Sequence, residues 1–288
     1  MIRTVRLAAI AVLAASPVFA IDLVPLWDFR QPAASEARFR EALETASGDD
    51  ALILQTQIAR TYMLRGDFGA ARNLLAGIQA PVQAAGAEAR ARYWLELGRS
   101  YVSHKHPAHT QTAEARQLAR DAYMRALQIA EGANLDALAI DAVHMFAFVD
   151  PAPARQLEWN QKALAMVEAS EQEQARQWEP SVRSNLGEAL YDLGRYEEAL
   201  EQFELALTLF EQRSDVRAVR DGSWHVAHAL RALHRNNEAL AIQLRLEREF
   251  DAAGDPRRYV FEELEILFRA GRNDERARYY ADRIKATQ

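Results

Sequence analysis

No cysteine occurs anywhere in the 288 residues, and that absence removes several chemistries at once. No disulfide can staple the fold, no thiolate can attack a substrate or hold a metal, and no lipidated cysteine can anchor the chain. Glycine and proline are scarce, at 12 and 9 residues, which argues against a disordered or strand-rich chain. Beyond the amino terminus no apolar run approaches the ~20 residues that a membrane helix requires. The patterns that mark a nucleophile elbow, a zinc-protease helix, a dinucleotide turn or a phosphate loop are missing. Nor is positive charge concentrated. Lys and Arg number 35 against 41 Asp and Glu, a formal net charge of −6. Polyanion binders gather basic residues on one face, so a nucleic-acid ligand is disfavoured. The most basic stretch, Arg269, Arg272, Arg276, Arg278, Arg283 and Lys285, is interrupted by Asp274, Glu275 and Asp282 and reads as a solvated outer face.

What is present begins with the features of a secretory leader at Met1 to Ala20. Arg3 and Arg6 supply the charged start, Leu7 to Ala15 the apolar centre, and Val18, Phe19 and Ala20 a small-residue cleavage site. A periplasmic or secreted product, without membrane insertion, is therefore expected. Residues 21–50 are expected to form an N-terminal segment and capping helix. Within them LVPLWDF is extended, and Ser35 caps a helix whose Phe39, Ala42 and Leu43 face inward, as a lid over the first helices beyond Asp50.

From residue 51 to 288 the pattern is repetitive, and its clearest copy surrounds the octet LGRYEEAL from Leu193 to Leu200. Leu186, Leu190, Leu193, Leu200, Phe203 and Leu207 recur at three- and four-residue steps, which gives two amphipathic helices. Gly187 and Ala199 allow the two backbones to approach closely. Gly194 follows the last periodic residue of the first helix, where a left-handed residue closes it. The same arrangement recurs with Ala59, Tyr62, Gly66 and Ala71, and with Trp94, Gly98, Tyr101 and Tyr123 around a loop containing SHKHPAHTQT. It recurs again with Val143, His144, Ala163 and a DPAPA turn, with Val226, Ala227 and LHRNNEAL, and with Leu264, Phe268, Gly271 and Ala277. The positions matched to Gly187 are Ala59, Gly98, His144, Ala227 and Glu265, so successive steps are 39, 46, 43, 40 and 38 residues. His144 and Glu265 depart from the small residue expected there.

This combination resembles the tetratricopeptide repeat, although the steps exceed the 34 residues typical of that family. The resemblance implies an all-α, right-handed α-α superhelix of about six helix-turn-helix repeats, in which each repeat contacts only its neighbours. It further implies that the first helix of each pair lines a concave surface where a protein or peptide binds. Carried onto this sequence, that surface comprises Gln57, Arg60, Arg99, Asp141, Met145, Asn185, Glu188, Tyr191, Trp224, His228, Arg231 and Glu262. Asn185 stands where peptide-binding members place an asparagine against the ligand backbone. Aromatic rings and forked donors suit a peptide. The implied protein is a non-catalytic scaffold that needs no cofactor, and homo-oligomers through the open solenoid ends are compatible with it.

Three other readings remain at this level. A small-molecule or metal-responsive sensor would use the same solenoid. His104, His106 and His109, three imidazoles in one loop, have the residue types for Zn²⁺ or Cu²⁺, and His225 and His228 share a helix face. Asp141 and His144, three apart on one helix, have the types of an acid/base pair, but because His144 replaces a small packing residue, a satisfied interior histidine fits the pattern better.

Overall fold

The computed structural model describes residues 21–287; the expected leader lies outside the described residues. The chain is an all-α superhelical array. Its helices are α1 (Pro32–Leu43), α2 (Gly48–Leu64), α3 (Phe68–Gln83), α4 (Ala87–Tyr101), α5 (Ala113–Gly132), α6 (Asp136–Val149) and α7 (Pro153–Ala169). They continue with α8 (Glu173–Arg176), α9 (Glu179–Asp192), α10 (Tyr196–Gln212), α11 (Val216–Ala232), α12 (Asn236–Ala252), α13 (Arg258–Ala270) and α14 (Asp274–Ala286). Six pairs result: α2/α3, α4/α5, α6/α7, α9/α10, α11/α12 and α13/α14. Each first helix packs on its own partner and on an element of the preceding pair.

The small positions do what the pattern requires. A Cβ on Gly187 would stand 2.5 Å from Cε1 of Phe203, and one on Gly98 would overlap the ring of Tyr123. Both rings are buried, so the glycine is the space the ring fills. Ala59 and Ala227 are likewise fully buried. Seven residues further on, the chain turns left-handed: Gly66 has φ +82° and Gly194 φ +75°. In the last two pairs the same turn is made by His234 (φ +60°) and Arg272 (φ +56°), residues that L chirality disfavours there. Gly271, read from the sequence as the turn glycine, keeps φ −79° as the residue just before it. Side-chain caps help to start several helices: Asp67, Thr112, Asp215 and Asn273 each accept a backbone N–H three residues ahead.

Three local expectations are corrected. The third pair is framed one residue earlier than the sequence suggests, because Val143, fully buried, occupies the place of Gly187 while His144 sits one step beyond. The proline-bearing turn hides this shift by removing the glycine that marks the frame elsewhere. A short extra helix, α8, is inserted between α7 and α9 and packs Ala175 and Trp178 against α6. At the N-terminal end, the helix starts at Pro32 rather than at Ser35. Ser35 lies inside it, fully buried, and its Oγ accepts from the backbone N–H of Asp28 and donates to the Asp28 carbonyl. The preceding segment is not extended throughout but makes a 3-10 turn at Val24–Leu26. Its Trp27 ring stacks on Phe29 at 4.5 Å and meets Phe39 edge-on.

Candidate functional site on the face of the first helices

One contact recurs along the whole array. The residue just after each small position reaches the residue two before the small position of the next pair. Arg60 Nη1 lies 3.6 Å from Glu96 Oε1, and Arg99 Nη2 bonds Asp141 Oδ1. The Asn185 amide donates to His144 Nδ1 at 3.0 Å, His225 Nε2 lies 3.2 Å from Glu188, and His228 Nδ1 lies 2.8 Å from Glu263. The first rung is completed by the N-terminal segment, whose Trp27 indole donates to Gln57 Oε1 at 3.2 Å. These rungs join consecutive first helices, which makes the face they share a single polar ladder.

The ladder is most enclosed in its N-terminal half. Glu96 and Asp141 are almost fully buried, and Arg99 between them donates to both. Burial alone would raise the Asp141 carboxyl, but the Arg99 and Arg60 guanidinium groups more than offset it and hold it below the usual carboxylate range. Arg99 is driven the other way, above the ordinary arginine value, against its own burial. Arg60 is less well matched. Desolvation and the neighbouring Arg99 charge depress it, with Glu96 only partly compensating. Its guanidinium also stands 5.7 Å from the Trp27 ring and 5.5 Å from that of Phe29.

Two recesses open on this face. The first, about 100 Å³, is bounded by Arg60, Arg99, His104, Lys105, Asp141 and His144, with Phe148 and Trp178 as its apolar walls and Met63 and Met145 buried beneath. It is electropositive, because Asp141 is already paired with Arg99, Arg60 has only a share of Glu96, which also pairs with Arg99, and Lys105 has no acidic partner within 4 Å among the described residues. His144 is pushed down to about 4, chiefly by burial and then by the Arg99 charge, with Asp141 opposing. Burial and Lys105 also lower His104. The second recess, about 290 Å³, lies between α9 and α11 and is lined by Glu188, Tyr191, Asp192, Phe203, Trp224, His225 and His228. His228 is sandwiched there, 4.3 Å from Tyr191 and 4.8 Å from Trp224.

The structure thus brings Arg60, Arg99, Asp141 and Met145 to one recess and Glu188, Tyr191, Trp224 and His228 to the other. Gln57, Arg99, Asp141 and Met145 are buried floor rather than open wall. Asn185 has its amide nitrogen engaged by His144 and its backbone carbonyl by Asn160. Arg231 is taken up by a two-pronged bond to Glu263, at 2.6 and 3.0 Å, so its forked donors are spoken for. Glu262 pairs with Arg258 on its own helix, and it is the neighbouring Glu263 that enters the ladder. Trp178, Phe148, Ser103 and Lys105 complete the first recess; Phe148 lies on α6 with Asp141 and Met145, whereas Trp178 follows an insertion with no repeat signature.

The histidine loop does not form a metal centre. His106 turns inward, stacks on Phe68 at 3.7 Å, and uses Nδ1 on Ser103 Oγ and Nε2 on the Ser100 carbonyl. His104 borders the first recess and His109 is exposed on a separate 3-10 turn, Ala108–Thr110. Among the described residues no group of three or more His, Asp or Glu is placed to hold a metal ion. The acid/base reading of Asp141 and His144 also fails, since Asp141 is committed to Arg99 and His144 Nδ1 to Asn185.

Residues 180–213, the α9/α10 pair, match the sequence model of the tetratricopeptide repeat. The chain thus carries a tetratricopeptide repeat at α9/α10, and helix pairs of the same architecture flank it on both sides. Its fold is similar to that of a signal transduction ATPase with numerous domains, carrying a tetratricopeptide repeat sensor, from Pyrococcus horikoshii. That likeness has a TM-score of 0.66 at 15% identity and covers 89% of this chain but only 39% of the other. It is similar also to the apo form of RapI, with a TM-score of 0.66 at 14% identity over 91% of this chain and 74% of that one. A Rap protein complexed with Competence and Sporulation Factor gives 0.56 at 14% identity, with the same two coverages of 91% and 74%. At these identities the likeness is one of fold. No curated sequence matches the chain.

Proposed function

We propose that this protein is an exported, non-catalytic scaffold that captures an extended segment of a partner protein along the face of its first helices. The observation that carries this reading is the first recess. It combines an incompletely matched guanidinium on Arg60, the exposed ammonium of Lys105 and the apolar walls of Phe148 and Trp178. Such a site favours an anionic group carried on an apolar segment, for which a peptide carboxylate is the common source. A Rap protein of similar fold is complexed with Competence and Sporulation Factor, which supports partner binding as a role open to this architecture. Export rests on the order of charge, apolar run and small residues in Met1 to Ala20.

Linear peptides selected from a random display library against the full chain test the reading. Replacing both Arg60 and Lys105 with alanine should weaken a selected carboxylate-bearing peptide about tenfold to a hundredfold, the scale of charge-assisted hydrogen bonds. Unchanged affinity would remove this recess from the binding surface. For export, expression of the full chain in a bacterium followed by fractionation should give a periplasmic product beginning at Ile21; an intact cytoplasmic chain would refute it.

A further inference from the structure

The second recess differs from the first in charge. Glu188 and Asp192 stand exposed at its edge, while Tyr191, Trp224 and Phe203 supply aromatic walls. Positive charge nearby is already matched, because the Arg231 guanidinium is held by both oxygens of Glu263. Glu188 touches only His225 across the ladder, through Oε1, and its side chain is 55% exposed. The indole N–H of Trp224 is buried without an acceptor, so its environment reports sensitively on any change in the recess its ring lines.

We propose that this recess takes a cationic side chain, arginine or lysine, of the captured segment. The carboxylates of Glu188 and Asp192 attract the charge, and the rings of Tyr191 and Trp224 provide the quadrupolar surfaces on which a guanidinium or ammonium settles. An aromatic recess without the carboxylates would accept a neutral side chain as well; the two acids make it selective. The inference rests on the groove reading above and deepens it: the partner segment carries an acidic group toward α2 and a basic group toward α11, which fixes its register on the solenoid.

The test uses the full chain labelled at its indole nitrogens and followed by NMR, with the Trp224 signal assigned through Trp224→Phe. Argininamide with its α-amino group acetylated is the probe, and citrullinamide acetylated in the same way, close in size but uncharged, is the control. Argininamide should shift the Trp224 signal with saturation, citrullinamide should not, and added NaCl should weaken the effect. Glu188→Gln combined with Asp192→Asn should raise the argininamide dissociation constant about tenfold, whereas Glu201→Gln on α10 should leave it unchanged. Both acids are exposed, so the double variant keeps its fold, and circular dichroism verifies that. An unmoved Trp224 signal, an equal response to citrullinamide, or indifference to the double substitution overturns the proposal. If selected peptides still bind through Arg60 while argininamide does not, the inference alone falls. If argininamide binds and no peptide does, the cation site is upheld and the groove reading falls.

Discussion

Replacing Arg99 with leucine probes the ladder at the rung where most is at stake. The guanidinium is 8% exposed and bridges Glu96, 1% exposed, and Asp141, 6% exposed. Leucine keeps much of the aliphatic packing but leaves two buried carboxylates facing one another with only Arg60, 3.6 Å from Glu96, as partial compensation. Breaking a buried pair by removing one partner costs about 3–5 kcal/mol, and the remaining contact with Arg60 places the expected loss near the lower figure. The pH dependence follows from the directions of the shifts. In the intact protein Asp141 is held below its ordinary value, so its contribution is present above about pH 4 and lost as pH falls through the folded value. In Arg99→Leu burial wins, the carboxyl rises above the ordinary value, and protonation relieves the penalty. The difference from the intact protein should therefore be largest at neutral pH and shrink toward pH 5, and Asp141→Asn in the same background should recover a substantial part. Urea unfolding followed by circular dichroism at pH 7 and pH 5 measures this. A loss below about 1 kcal/mol, independent of pH, would refute the reasoning by showing that solvent reaches these carboxylates.

His144, pushed down to about 4, resists a proton that the unfolded chain accepts near 6.5. Stability should therefore fall as pH drops from about 6.5 to 4, by at most about 3 kcal/mol, and His144→Gln should flatten that part of the profile in pH-dependent unfolding. Gly187→Ala should cost about 1–3 kcal/mol, since the new Cβ meets a buried Phe203 ring; thermal unfolding with no change would show that the helices separate freely. His234→Gly should stabilise the fifth pair by about 0.5–1 kcal/mol, because the left-handed turn no longer opposes a Cβ. A destabilised variant in the same melt would contradict that strain.

Much of the architecture is legible in the sequence because helix pairs impose local constraints that leave marks at fixed spacing. The small Gly187 and the left-handed Gly66 and Gly194 are geometric necessities visible in residue type alone, although the group that fills the space beside Gly187 is the Phe203 ring and not Ala199, which the sequence sets opposite it. Where a necessity is met otherwise, the marks vanish. Val143 replaces a small residue and a proline ends α6, so the sequence pattern frames the third pair one residue late, and His144 passes for a packing residue when it is a ladder partner. His234 and Arg272 adopt the left-handed turn without glycine because the surrounding helices dictate it. The groove is legible as a face but not in depth. Gln57, Arg99 and Asp141 lie on the expected side, yet how far the N-terminal segment and the next pair cover them depends on contacts about 30 to 40 residues away. The complementary rungs Arg60 with Glu96, Arg99 with Asp141 and His228 with Glu263 do leave a sequence signal, once every pair is framed consistently. Trp178 leaves none.

The most direct measurement places a photo-crosslinking benzophenone residue singly at Phe148 or Tyr191 on the ladder face, and at Leu205 or Glu201 on α10, in the full chain within cells that express it natively. Capture of the same discrete partner from both ladder positions, and from neither α10 position, is the result expected of a groove. Crosslinks from α10 alone, or equal yields from both faces, would contradict it.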